Sequence, residues 1–200
     1  MRSLTVVVGP MAANKSTYAC VLAARHKRLG HKVVLLRPAV SARGHERPGL
    51  LVTRNGLQFP AVDIDHSSHL EEAAKGFDLV WIDEPQLFPG EDLVFPSVQT
   101  IRHVSDVVVS GLSATSELEP FGTSMPRLLA VADEIVALKA DCSTCGSFNL
   151  ATRSVCLRGK KDQVLVGGDD VYDSACPTCW TQAQLRGSQE SGREAMTGVG

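Results

Sequence analysis

Between positions 4 and 8 the chain runs Leu-Thr-Val-Val-Val, and comparable short apolar runs return at Lys32–Leu36, Leu79–Ile82, Val107–Ser110 and Glu134–Leu138. Val, Ile and Leu on consecutive positions suit strands buried on both faces. The segment Lys15–Leu29 has a different pattern. Ala19, Val21, Leu22 and Leu29 are interleaved with Arg25, Lys27 and Arg28, and Gly30 follows as a helix stop. Such strands alternating with helices predict a parallel sheet in an α/β layer fold. Pro38, Gly44, Pro48, Gly49, Gly56 and Pro60 crowd residues 38–60, which predicts a long, partly irregular connection. Residues 181–200 lack apolar periodicity and are rich in Gly, Ser, Gln and Glu, the composition of a disordered tail. No internal repeat is visible.

Directly behind the first strand stands Gly9-Pro10-Met11-Ala12-Ala13-Asn14-Lys15-Ser16-Thr17. A buried strand that ends in a glycine turn and enters a helix is where a phosphate-binding loop works. Backbone N–H groups and the positive end of the helix dipole surround a triphosphate there. Lys15 is placed to reach the outer phosphates, and the Ser16 hydroxyl to hold Mg²⁺. Asn14 stands where Gly is usual before the Lys. That position tends to need positive φ, and Asn is the non-glycine residue best suited to it.

A second element of the same chemistry is the run Asp78-Leu79-Val80-Trp81-Ile82-Asp83-Glu84, a strand ending in two adjacent carboxylates. An acidic residue at such a strand end holds Mg²⁺, directly or through water, and Asp83 takes that role. Glu84 is then the general base that accepts a proton from an attacking hydroxyl. The spacing lets the two strand ends lie side by side. Gln86 is a further candidate to hydrogen-bond nucleotide or substrate.

The six cysteines bring in a metal. Cys142-Ser-Thr-Cys145 and Cys176-Pro-Thr-Cys179 are two Cys-x-x-Cys knuckles, the spacing of a closed, structural Cys₄ zinc site. The chain between them is predicted as a hairpin, with arms Ala151–Leu157 and Gln163–Val166 and its turn at Gly159–Asp162. Cys20 and Cys156 read as small buried hydrophobes. A formal charge of −2 gives no electrostatic footprint for nucleic acid or an anionic membrane. No run approaches membrane-spanning length, and the N-terminal run is too short for a signal peptide, so a cytoplasmic protein is expected. Apolar content of 44% with 21% charged residues supports a globular core. The organisation expected is a nucleotide-binding core over 1–140, a zinc-binding subdomain over 141–180 and a tail over 181–200.

With these elements in this order, the chain resembles the type II thymidine kinases. The resemblance runs over residues 4–180. It is carried by Gly9-Pro10-Met11 with Lys15-Ser16-Thr17, Ile82-Asp83-Glu84 with Gln86 and Phe88, Pro120-Phe121-Gly122, Ala137-Leu138-Lys139, and Val166-Gly167-Gly168 with Tyr172. It implies a RecA-like P-loop core, a zinc-tethered lasso over the nucleoside, ATP and Mg²⁺ as well as Zn²⁺, and a homotetramer. By resemblance, Glu84 takes the proton of the thymidine 5′-hydroxyl, deoxyuridine being a further possible substrate. Main-chain groups of Leu165, Val166, Gly167, Gly168 and Asp169 hold the thymine ring, and Tyr172 supports sugar or base. The family's Asp-x-Arg appears as Ser41-Ala42-Arg43, which adds Arg43 to the nucleotide-binding set. Leu87 and Ser116 stand where aromatic residues usually enclose the base, and Thr53-Arg54 where Ser-His is frequent.

Two other readings stay open. Asp83-Glu84-Pro85-Gln86 and Ser113-Ala114-Thr115 also match helicase-like ATPase elements, although a helicase needs two such domains and 200 residues hold one. A catalytically weakened relative that binds nucleotide is the other.

Overall fold

The computed structural model describes residues 1–39, 48–156 and 171–185. In chain order its elements are β1 (Leu4–Val8), α1 (Lys15–Arg28), β2 (Val33–Pro38), β3 (Leu50–Val52), β4 (Gln58–Pro60), β5 (Val62–Ile64), α2 (Leu70–Ala73), β6 (Leu79–Asp83), α3 (Val94–Ile101), β7 (Asp106–Gly111), α4 (Ser124–Val131), β8 (Glu134–Ala137), β9 (Arg153–Cys156), β10 (Tyr172–Ala175) and α5 (residues 177–185). Six strands form one sheet in the order β5-β2-β6-β7-β1-β8, every neighbouring pair parallel. The expected α/β layer fold is therefore present, with helices following β1, β5, β6 and β7. Because all six strands run the same way, their carboxyl ends share one edge, where open α/β sheets bind ligands.

The period of two sorts the strand residues onto two cores. Leu4, Val6, Val80, Ile82, Val107 and Val109 pack against α2, α3 and α4, whereas Val7, Leu79, Trp81 and Val108 meet α1 and the β3–β4 hairpin. Each fully buried aliphatic side chain stabilises the fold by about 1.5–3 kcal/mol. Helix α1 turns Ala19, Cys20 and Ala23 onto the second core and stops where expected. Gly30, at φ 85°, donates its N–H back to the Lys27 carbonyl at 3.0 Å.

Several expectations need correction. Strand β7 lies between β1 and β6, so the two chemistry-bearing strand ends are next-but-one neighbours. Strand β8 is not buried on both faces: it is the sheet edge, and Ile135 is 52% exposed. Within the long, partly irregular connection expected over residues 38–60, of which 40–47 lie outside the described residues, β3 and β4 form an antiparallel hairpin that lays Leu51 and Phe59 under α1. In the cysteine subdomain, β9 pairs antiparallel with β10, so one arm of the ribbon is Tyr172–Ala175. The Gln163–Val166 arm and the Gly159–Asp162 turn lie outside the described residues, as does the tail beyond 185. Residues 181–185, read as tail, continue helix α5.

Candidate active site

Strand β1 delivers the chain into the loop Gly9–Asn14, and close packing dictates its first residue. A Cβ on Gly9 would sit 2.8 Å from the Leu138 carbonyl oxygen and 2.9 Å from the Ala13 Cβ. Asn14, immediately before α1, has φ 59° and ψ 28°, the left-handed conformation expected of it, and Ala12 shares the region at φ 61°. The loop closes on itself through Ala13 N–H to the Pro10 carbonyl at 3.3 Å. Lys15 is buried, and its ammonium donates to the carbonyls of Gly9 (3.1 Å) and Pro10 (2.9 Å).

One recess is lined by Met11, Ala12, Ala13, Asn14, Lys15, Ser16 and Thr17, by Thr53 and Arg54 from the β3–β4 turn, and by Glu84. The structure thus brings the carboxylate of the β6 end to the phosphate loop across the intervening strand. Glu84 holds a left-handed backbone (φ 48°, ψ 56°), a strained choice for this residue type of the kind found at functional sites. Its N–H donates to the Ser110 carbonyl at 2.7 Å, and its carboxylate accepts from the buried Gln86 amide.

Asp83 is buried on the α1 face, where its carboxylate accepts from the Ser110 hydroxyl, itself held by the Trp81 indole N–H at 2.7 Å. Burial, with the nearby Asp83 charge, pushes the Cys20 thiol up to about 11, so this cysteine is a protonated core residue at neutral pH.

The hairpin that carries Arg54 is anchored, not loose. Asn55 Oδ1 accepts from the hydroxyls of Thr53 (2.6 Å) and Thr17 (3.0 Å), joining the turn to the first turn of α1. At its base, Gly49 N–H donates to Asp63 (2.8 Å), which also accepts from the buried Arg37 guanidinium (2.6 Å).

On the other side of Pro10 is a second cleft, of about 160 Å³. Its walls are Leu112–Thr115 and Leu118 after β7, Ala137–Lys139 after β8, and Thr152–Ser154 on the ribbon. Phosphate loop and ribbon touch directly: Ala13 packs with Ala140, Cys142, Ala151 and Cys176 in one small core. The sulfurs of Cys142, Cys145, Cys176 and Cys179 all lie within 4.8 Å of one another. A tetrahedral zinc with bonds of about 2.3 Å sets sulfurs about 3.8 Å apart, so the four fit the ion. Burial opposes a Cys142 thiolate, yet the N–H groups of Cys176, Cys145 and Thr144 outweigh it and lower that thiol to about 6. A ligand that deprotonates readily favours metal uptake.

Of the other residues singled out in the sequence, Leu87 lies half-buried in the turn after β6, outside both recess and cleft. Tyr172 lies in β10 opposite Cys156, and Ser116 sits at the tip of the turn after β7. Arg43, Leu165, Val166, Gly167, Gly168 and Asp169 fall outside the described residues. Sequence reasoning did not single out Thr53, Arg54, Thr152, Arg153 or Ser154 as site residues. The Thr53-Arg54 pair was visible only as a place where the family resemblance weakens.

Residues 2–180 match the family profile described as thymidine kinase. The thymidine kinase of Coprothermobacter proteolyticus is 34% identical over 180 residues, covering 86% of this chain and 87% of that protein. That of Thermococcus kodakarensis is 32% identical, covering 86% and 91%, and that of Mycoplasma genitalium 30%, covering 86% and 79%. Since the profile spans the phosphate loop, Glu84 and all four cysteines in one continuous stretch, the chain belongs to the thymidine kinase family.

Proposed function

We propose that this protein is a thymidine kinase, which moves the γ-phosphoryl group of ATP to the 5′-hydroxyl of thymidine and yields dTMP and ADP. The observation that carries it is the shared recess: Glu84, Lys15 and the whole turn Met11–Thr17 face one space. Main-chain N–H groups of that turn and the Lys15 ammonium hold the phosphates, for which positioning and charge neutralisation are most of the catalysis. Ser16, and Asp83 from behind the recess, would supply hard oxygen ligands of the kind that suit Mg²⁺, which would draw charge off the triphosphate. Glu84 accepts the 5′-hydroxyl proton, and Gln86 fixes the direction in which its carboxylate points.

The cleft beyond Pro10 receives the nucleoside, between the turn after β7 and the ribbon. Zinc at the four cysteines is structural, clamping β9 and β10 against the phosphate loop. The 141–180 segment acts as one subdomain, and Arg43, the stretch 165–169 and Tyr172 complete the binding surfaces. The working assembly is a homotetramer in the cytoplasm.

The test is a phosphoryl-transfer assay with ATP, Mg²⁺ and a panel of nucleosides. Thymidine- or deoxyuridine-dependent ADP release is the expected result. Nucleoside-independent hydrolysis would point instead to a helicase-like ATPase, and nucleotide binding without turnover to a weakened relative.

A further inference from the structure

Helix α5 leaves the second cysteine knuckle and crosses to the turn after β7. Trp180 N–H donates to the Cys176 carbonyl at 2.9 Å, which locks the start of the helix to a metal ligand. The Trp180 indole N–H then donates to the Ser116 carbonyl at 2.9 Å, and Gln184 Nε2 reaches the same oxygen at 3.4 Å. Both lone pairs of one carbonyl are thereby engaged from a single helix face, one turn apart. The indole ring also carries the Arg153 guanidinium, 5.0 Å from its centroid. Arg153 is itself a wall of the cleft, opposite Ser113, Ala114, Thr115 and Leu118.

The turn that Ser116 belongs to is short and polar, and it is held to helix α5 through its Ser116 carbonyl. Its side chains Ser113, Ala114, Thr115 and Ser116 are half-buried and Glu117 is exposed, and none of them is a large apolar group. Its internal bonds, Leu118 N–H to Thr115 (3.1 Å), Thr115 N–H to Glu119 (2.9 Å) and Phe121 N–H to Ser113 (3.1 Å), run within the loop rather than to the ribbon. The bonds from Trp180 and Gln184 tie it to the helix that leaves the second knuckle.

We propose that Trp180 is a positioning residue for nucleoside recognition: its N–H fixes the Ser116 wall of the cleft and its ring fixes the Arg153 wall. The spacing between the two walls is then set by a helix that starts at the four-cysteine centre. This rests on the cleft being the nucleoside site. It also explains why a chain with Ser rather than an aromatic residue at position 116 retains a defined wall there: the main chain is held where a side chain is not.

Trp180→Phe keeps a ring for Arg153 and removes the N–H. Loss of one neutral hydrogen bond should raise KM for thymidine roughly fivefold, leaving kcat and KM for ATP within twofold of wild type and the zinc content unchanged. Trp180→Leu, which also removes the ring, should raise it further. Hydrogen exchange reads the tether without any substrate: amides of residues 113–118 should exchange faster in Trp180→Phe than in wild type. A third readout uses the chain's two tryptophans, of which Trp81 is fully buried in the sheet core. Thymidine added without ATP should alter the emission of wild-type protein but not that of Trp180→Phe. Unchanged exchange over 113–118 overturns the tether outright. Faster exchange with an unchanged thymidine KM overturns the role in recognition. If wild type neither binds nor phosphorylates thymidine while exchange still responds, the nucleoside reading fails and the tether survives.

Discussion

The backbone N–H of Met11 donates to the hydroxyl of Ser154 across 3.1 Å, and so joins the middle of the phosphate loop to strand β9 of the cysteine ribbon. The two residues are 143 positions apart and the bond is buried. One N–H group of the loop is committed to the ribbon that walls the second cleft. The two halves of the site are thus in direct contact.

Ser154→Ala leaves that N–H buried without a partner, which costs about 1–3 kcal/mol. The variant should unfold at lower urea and bind ATP more weakly, while keeping its zinc. Equal ATP affinity in a titration of wild type and variant would show that the link does not shape the loop.

Losing the metal should act through the same contact. Free energy of zinc binding at such a site is also folding free energy. Cys142→Ser is expected to abolish bound zinc, to loosen β9 and β10 more than the parallel sheet, and to reduce nucleoside affinity sharply while retaining part of the ATP affinity. Metal analysis of wild-type protein purified without chelator should give one zinc per chain, and its absence would sink the structural role.

The two ends of the phosphate loop should answer oppositely to small changes. Asn14→Gly should be neutral or stabilising, because Gly reaches φ near 59° without strain. Gly9→Ala should be severe, since its Cβ would meet the Leu138 carbonyl oxygen at 2.8 Å and backbone would have to shift. Thermal melts with and without ATP separate the two. A loss of nucleotide binding in Asn14→Gly would reveal a dedicated role for the amide.

Glu84→Gln preserves shape and removes basicity. It should leave ATP and thymidine binding near normal and lower kcat by roughly 10²–10⁴. Lys15→Ala, by contrast, should weaken nucleotide binding as well as turnover, since it removes a charge that neutralises phosphate. An unaltered kcat in Glu84→Gln would place the base elsewhere.

Asp63 gives the hairpin a pH dependence. Burial works against its ionised form, but hydrogen bonds from Arg37 and the Gly49 N–H prevail and hold its pKa below the usual carboxylate value. A pKa lowered on folding contributes stability above the unfolded value of about 3.9, and that contribution is lost as pH falls through the folded value. Wild type should therefore exceed Asp63→Asn in urea midpoint by a constant margin at neutral pH, and the margin should shrink below about pH 4. A margin that does not change with pH would show that the charge contributes nothing.

What the sequence alone determined is whatever local chemistry dictates. Leu4–Val8, Leu79–Ile82 and Val107–Ser110 are apolar at every step or nearly so, and such runs have little choice but the middle of a sheet. Gly30 and Asn14 announced their positive φ through residue type. The four cysteines announced a cluster by spacing, because knuckles bring their own geometry. Tertiary structure decided the rest, where the stabilising partner is remote. Strands β3 and β4 have three residues each, too short for periodicity to register, and exist because Leu51 and Phe59 find the underside of α1. Their packing is what carries Arg54 to the phosphate loop. Residues 181–185 have a tail's composition and become helix where Trp180 and Gln184 meet a carbonyl more than sixty positions away. That β7 separates β1 from β6, and that Ser154 meets Met11, are likewise facts of strand order and long-range contact. No window of a dozen residues contains them, because the free energy that selects them is released only when distant segments meet.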